Sequence, residues 1–170
     1  MARRKFATLL VLVLALSVVS AAKLRNLPAP QACERARVVD YTHSLEDHPL
    51  AKDNLQKRMW LTEWIVNTSA ITVPPCCEEL NSLDQVNNTY SQQLRMQAVY
   101  SQAAFQLEHP DVKDPVAIQA AGLAGTLRAY RAIQRFDPSA KYPLLDDLMS
   151  LERNGKLQKY VERRNRCVED

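Results

Sequence analysis

The chain has 170 residues, of which 46% are hydrophobic and 24% are charged, a composition typical of one globular domain. Its 22 Lys and Arg residues against 19 Asp and Glu residues give a formal net charge of +3. Arg3, Arg4 and Lys5 account for this excess, since removing these three leaves 19 basic and 19 acidic residues. The rest of the chain is therefore neutral overall. A nucleic-acid binder usually has a basic face, so we predict no nucleic-acid partner.

Residues 1–22 have the pattern of a secretory signal peptide. A basic start at Arg3 to Lys5 precedes an apolar run from Ala7 to Val19, and Ser20-Ala21-Ala22 offers small residues for cleavage. We therefore predict an exported protein, periplasmic or secreted, that has no membrane span after processing. An uncleaved N-terminal anchor is the alternative interpretation, although the apolar run is short for a bilayer.

The mature chain is expected to open with an extended leader over 23–31, where Pro28 and Pro30 disfavour a helix. A single helical domain is then predicted over 32–170. Its first helix, a short one, begins near Ala32 and ends at the break Glu46-Asp47-His48-Pro49.

The second predicted helix starts with Asp47 as its N-cap and runs to about Val66. It carries six large apolar side chains: Leu55, Met59, Trp60, Leu61, Trp64 and Ile65. Trp60 and Trp64 lie one turn apart and so share a face. Packing in the core is the simplest interpretation of this pair, and an aromatic-lined ligand groove is the alternative.

A long helix is predicted to follow the extended residues Ile71 to Val73, beginning between Glu78 and Leu83 and ending at His109-Pro110. Ser82 and Gln85 have the spacing of a capping box. Two apolar stripes run along this helix, one with Leu83, Val86, Tyr90, Leu94, Ala98 and Phe105, the other with Met96, Tyr100, Ala103 and Leu107. Two stripes indicate burial on more than one side, and therefore a central position.

The stretch from Val116 to Phe136 is predicted to be the helix around which the domain packs. One face holds Val116, Ala120, Leu123, Leu127, Tyr130, Ile133 and Phe136, at steps of three and four. Arg128 lies off this face. Gly122 and Gly125 are among the small residues beside it that would let a neighbouring helix come close. Asp114 and Pro115 supply an N-cap and a first-turn proline.

The predicted fold is therefore all-α, a compact bundle of about four to six helices around a central antiparallel pair near 83–107 and 115–136. Leu144 to Leu151 predict a further amphipathic helix that ends at Asn154-Gly155. Leu157, Tyr160 and Val161 predict a last helix running towards Cys167.

Four cysteines in an exported chain favour disulfides in an oxidising compartment. A bond between the neighbours Cys76 and Cys77 is strained, so we predict that one pairs with Cys33 and the other with Cys167. Which of the two pairs with Cys33 stays open. A redox-active Cys76-Cys77 pair is the alternative.

Other chemical motifs are weak. Asp40, His43 and Glu46 are spaced by three on a predicted helix, but one histidine is few for a zinc site, and we predict no metal and no cofactor. None of the familiar hydrolase motifs occurs in the sequence. We therefore predict no catalytic residues, and we favour a binding protein over an enzyme.

The sequence shows two resemblances to known groups of proteins. Ala129-Tyr130-Arg131-Ala132 to Asp137-Pro138 resembles the second helix of a tetratricopeptide repeat, although no second copy occurs. A wider set is similar to a group of small exported bacterial helical proteins of unknown function: Arg58-Met59-Trp60-Leu61, Ile71-Thr72-Val73, Cys76, Asp137-Pro138, Leu145-Asp146-Asp147-Leu148 and Gly155-Lys156-Leu157. That resemblance implies export and helicity, and it implies no activity.

The sequence leads to three functional hypotheses of different classes. The first is an exported, non-enzymatic helical protein that acts by binding, with another exported protein as one candidate partner, or as a structural module of the envelope. The second is a secreted cytokine-like ligand, against which short helix connections count. The third is a thiol-redox protein that uses Cys76 and Cys77.

Overall fold

The computed structural model describes residues 29–74, 80, 83 and 89–164. Over these ranges the chain forms six α-helices and no strand, which confirms the predicted all-α fold. The helices are α1 (Ala29–Asp47), α2 (Asn54–Asn67), α3 (Ser91–Glu108), α4 (Pro115–Phe136), α5 (Pro143–Arg153) and α6 (Leu157–Arg164). None of the described helices has both the length and the hydropathy needed to cross a bilayer.

The chain divides into two compact units, 1–36 and 37–170. The boundary falls within α1. Described residues of the first unit are the opening turns of α1, which starts at Ala29. Residues 29–31 of the predicted leader are therefore helical, while the predicted signal peptide at 1–22 lies outside the described residues.

Helix α4 is the core helix of the second unit. Asp114 caps it as predicted, since its Oδ1 accepts a hydrogen bond from the Val116 amide at 3.0 Å, and Pro115 occupies the first turn. The predicted face is buried at Leu123, Leu127, Tyr130 and Ile133. Burial extends around the helix to Ile118, Gln119, Gly122, Gly125, Thr126, Ala129 and Ala132.

Phe136 is the exception on the predicted face, because its side chain is 77% exposed. It is the last residue of α4 and lies beyond Ile133, the last buried residue of the helix. Helix α4 therefore continues for about one turn beyond its last buried residue. The prediction that Phe136 belongs to the packed face is wrong.

Helices α3 and α4 form the predicted antiparallel pair. The Thr126 hydroxyl donates to Leu94 O at 3.3 Å, near the start of α3, whereas Gly122 faces Ala98 further along that helix. The glycines allow this approach. A Cβ on Gly122 would lie 2.9 Å from Ala98 O, and a Cβ on Gly125 would overlap the Ser101 side chain. The predicted role of small residues in helix packing is confirmed at these two positions.

The start of α3 differs from the prediction. Its first residue is Ser91, because Thr89 and Tyr90 form a turn and the Ser91 hydroxyl donates to Leu83 O at 2.8 Å. The predicted capping residues Ser82 and Gln85 lie outside the described residues. Burial on two sides is confirmed, since Leu94 and Ala98 pack in one core cluster and Tyr100 and Ala103 in another.

The two clusters divide the second unit. The main core joins α4, α5 and α6 with Leu94 and Ala98 of α3, and it includes Leu80 and Leu83. The second core consists of Val38 and Leu45 of α1, Leu61 of α2, and Tyr100 and Ala103 of α3. Helix α3 contributes to both cores, and this places its Tyr100 side at the junction with α2.

Helix α1 ends at Asp47, within the predicted break, and at 19 residues it is longer than expected. Helix α2 begins at Asn54, and Asp47 does not cap it. The intervening residues fold into hydrogen-bonded turns, in which Ala51 N donates to His48 O at 3.1 Å and Asn54 Nδ2 donates to the same carbonyl at 2.6 Å. Residues 48–53 are predicted to form the first turns of α2, but they form these turns instead.

The C-terminal helices follow the prediction. Helix α5 ends at Arg153, and Gly155 adopts a left-handed φ of 64°, the conformation that glycine accepts most readily. Leu157 and Val161 of α6 are buried in the main core. The predicted approach to Cys167 lies outside the described residues.

Candidate functional site

A groove of about 700 Å³ runs between α2 and α3. Its volume is in the range of small-molecule sites, which is roughly 300–1,000 Å³. From α2 it is lined by Leu55, Arg58, Met59, Thr62 and Glu63, and from α3 by Gln92, Gln93, Met96 and Tyr100. We refer to this feature as the α2–α3 groove.

The walls of the α2–α3 groove are apolar. Leu55 and Met59 lie one turn apart on α2, and their side chains are 68% and 65% exposed. Met96 faces them from α3 and also packs against the second core. Flexible methionine side chains adapt to ligands of different shape, so these walls suit an apolar ligand.

The groove also contains a fixed polar group, the Tyr100 hydroxyl. Tyr100 is 1% exposed, and its oxygen lies 2.8 Å from Thr62 Oγ1 and donates to Arg58 O at 3.3 Å. Burial raises the pKa of Tyr100 despite the hydrogen bond with Thr62 and the nearby Arg58 charge. The phenol therefore stays protonated at neutral pH and ties α3 to α2.

Arg58 brings a positive charge to the same groove. Its Nη2 donates to Pro49 O at 2.7 Å and to Gln93 Oε1 at 3.4 Å. Both partners are neutral, and burial lowers the pKa of Arg58 although the guanidinium stays charged. Among the described residues no carboxylate forms an ion pair with it.

Trp60 and Trp64, the predicted aromatic pair, pack against the second core. Trp60 meets Tyr41 edge to face, with ring centroids 5.5 Å apart, and the Arg37 guanidinium carbon lies 5.2 Å from its ring centroid. Neither tryptophan is among the residues that line the α2–α3 groove. Core packing therefore accounts for both side chains, and the groove is formed on another face of the same helix.

A second polar cluster lies where α1, α3 and α4 meet. Glu46 is 2% exposed and accepts hydrogen bonds from Arg128 Nε at 2.8 Å, Arg128 Nη2 at 2.9 Å and Ser101 Oγ at 2.7 Å. Burial alone would raise the pKa of Glu46, but hydrogen bonds from Arg128, His43 and Ser101 outweigh it and lower the pKa. A buried carboxylate with these donors is fully ionised near neutral pH.

His43 extends this cluster to the surface. Its Nδ1 lies 2.9 Å from Glu46 Oε2 and its Nε2 lies 3.0 Å from Glu108 Oε1. Ser101 bonds to Glu46 and not to His43, so the order differs from the serine, histidine and acid of a hydrolase triad. The arrangement joins three helices, and we interpret it as a packing network.

Asp40, which the sequence places three residues before His43 and six before Glu46, is exposed. Within the described ranges, no group of three or more His, Cys, Asp or Glu side chains could hold a metal ion. The observed role of His43 and Glu46 is to hydrogen-bond each other and their neighbours on α3 and α4.

Cys33 is exposed on α1 and is a free thiol. The predicted bridge from Cys33 to Cys76 or Cys77 is therefore not formed in this structure. Cys76, Cys77 and Cys167 lie outside the described residues, as does the predicted redox pair.

Sequence reasoning missed Arg58 and Tyr100 as groove residues, and Leu55 and Met59 as its walls. A signal was present, because positions 55, 59 and 62 recur at helical spacing on a face different from that of Trp60 and Trp64. Comparison of the chain with protein-family models, curated proteins and solved structures finds no match.

Proposed function

We propose that this chain is an exported, non-enzymatic helical protein that acts by binding an apolar ligand in the α2–α3 groove. The observation that carries the proposal is the exposure of Leu55 and Met59 along a groove with a fixed polar group in it. If a ligand buried these side chains, each would stabilise the complex by about 1.5–3 kcal/mol.

The groove is held open by interactions that do not need a ligand. Leu61 of α2 and Tyr100 of α3 pack in the second core, and the Tyr100 hydroxyl bonds to Thr62 and to Arg58 O. A site whose walls are fixed before binding loses less conformational entropy when it is filled. This preorganisation supports a binding role.

Export rests on the signal pattern of residues 1–22. In that compartment the ligand is an exported protein segment or a small apolar molecule.

Calorimetric titration with decanol tests the proposal on chain purified from exported material. The double variant Leu55→Gln/Met59→Gln should bind decanol at least about tenfold more weakly, because both walls lose apolar surface. Both side chains are exposed, so the denaturant midpoint should change little. Phe136→Gln, which removes another exposed apolar side chain outside the groove, should bind as the parent does. Absence of decanol binding by the parent chain, or equal affinity in all three proteins, would refute the proposal.

A further inference from the structure

Arg58 has neutral hydrogen-bond partners, unlike three other partly buried cations among the described residues. Arg128 pairs with Glu46, Arg131 pairs with Glu152, and Lys57 pairs with Asp53 at 2.9 Å. The contacts of Arg58, through Nη2, are to a backbone carbonyl and a side-chain amide. A guanidinium has five N–H donors, and Arg58 therefore keeps donors for a further acceptor.

The unneutralised charge lies beside the apolar walls. Arg58 lines the groove together with Leu55 and Met59 of the same helix, and Met96 faces them from α3. A partly desolvated cation interacts more strongly with an anion than an exposed one does. One ligand can therefore contact the Arg58 guanidinium and the apolar walls at the same time.

We infer that the groove binds an amphiphile with one carboxylate head, which Arg58 receives, and an unbranched apolar chain that lies along Leu55, Met59 and Met96. This inference rests on the proposed function, because it assigns the ligand class of the same groove. Glu63 also lines the groove and repels any negative charge placed near it, so Arg58 offers one favourable position for a carboxylate. A single carboxylate therefore matches the groove better than a polyanion.

Three probes with the same chain separate the head from the tail: decanoate, decanol and decyltrimethylammonium. At neutral pH the parent protein should bind decanoate about ten- to hundredfold more tightly than decanol, the gain expected for a charge-assisted hydrogen bond. Decyltrimethylammonium should bind more weakly than decanol. Arg58→Gln should remove the preference for decanoate, which is measured as the ratio of the decanoate and decanol affinities of the same variant.

Lys57→Gln is the matched control, since it removes one positive charge from α2 at a residue that does not line the groove. It should retain the preference for decanoate. Arg58→Lys keeps the charge and loses the planar fork, so it should retain part of the preference. If Arg58→Gln fails to fold, Arg58→Lys and the comparison of probes on the parent protein decide the matter.

The outcomes distinguish this inference from the proposed function. Equal affinity of the parent protein for all three probes would overturn the carboxylate assignment and leave the apolar groove intact. An equal loss of decanol and decanoate binding in folded Arg58→Gln would show that Arg58 only shapes the groove. Failure of every probe to bind would overturn both, and self-association abolished by Met59→Gln would then identify a second copy of the chain as the occupant.

Discussion

Arg128 on α4 donates two hydrogen bonds to the buried carboxylate of Glu46 on α1, one from Nε at 2.8 Å and one from Nη2 at 2.9 Å. Glu46 is 2% exposed, whereas the Arg128 side chain is 41% exposed. The pair therefore joins a carboxylate inside the unit to a cation at its edge. The pair matters to stability mainly because a buried Glu46 carboxylate without a partner would cost free energy, and less because of the attraction between the two charges.

Arg128→Ala should lower the free energy of unfolding by about 3 kcal/mol, because a buried carboxylate loses its charged partner. The sequence alone indicated a small effect, since Arg128 lies off the apolar face of α4. Arg131→Ala breaks a more exposed ion pair with Glu152 and should cost at most about 1 kcal/mol. Denaturant unfolding of both variants measures the difference, and equal losses would show that the Glu46 contact is not specific.

Gly125→Ala should destabilise the protein by about 1–3 kcal/mol, although alanine is the better helix former by about 1 kcal/mol. The added Cβ would overlap the Ser101 side chain and lie 2.5 Å from Glu46 Oε1. Gly122→Ala should also destabilise the protein, since its added Cβ would lie 2.9 Å from Ala98 O of the same neighbouring helix. Thermal melts of the two variants check this, and a stabilised Gly125→Ala would mean that α3 and α4 lie further apart.

Leu127→Ala should cost about 2–5 kcal/mol through lost burial and the cavity left behind, because Leu127 is fully buried in the main core. Phe136→Ala removes a larger side chain that the sequence assigned to the same face, but this side chain is 77% exposed. Its cost should be within about 0.5 kcal/mol. A large loss from Phe136→Ala in chemical denaturation would contradict the observed end of the core.

Stability should depend on pH through His43 and Glu46. Burial lowers the pKa of His43, but its hydrogen bonds to Glu46 and Glu108 outweigh this effect and raise the pKa above 6.5. Because only the protonated ring can donate to both carboxylates, this contribution is complete below pH 6.5 and is lost as the pH rises through the raised value.

Glu46 acts in the opposite direction. Its pKa is lowered from 4.5, so its contribution is complete above that value and is lost as the pH falls through the lowered one. Denaturant midpoints across this range should therefore be highest between the two transitions. His43→Gln should remove the fall on the alkaline side and keep the acid one. A parent midpoint that stays constant above pH 6.5 would contradict the role of His43.

Local features of the sequence predicted the fold well. The Asp114 cap, the buried Leu127 and the close approach at Gly122 and Gly125 each follow from residue type and helical spacing within one helix. Arg128 could not be assigned in this way, because Glu46 lies 82 residues away in the chain. Which cation meets a buried acid depends on how helices pack, and periodicity does not contain that information.

The groove was missed for a related reason. Hydropathy alone groups Leu55 and Met59 with Trp60 and Leu61 as apolar residues of one helix, although a helix can present two apolar faces. Only one of these faces meets the second core, and the other remains exposed beside α3. The position of α3 determines which face of α2 is covered and which lines the groove, and the sequence of α2 alone does not contain that position.

Methyl NMR of the methionines during a decanol titration tests most directly whether the α2–α3 groove is the binding site. Met59 and Met96 line the groove, whereas Met149 packs against the main core and is the internal control. The Cε methyl resonances of Met59 and Met96 should shift progressively with decanol, and that of Met149 should stay in place. Unchanged Met59 and Met96 resonances, or a shift confined to Met149, would contradict the proposed site.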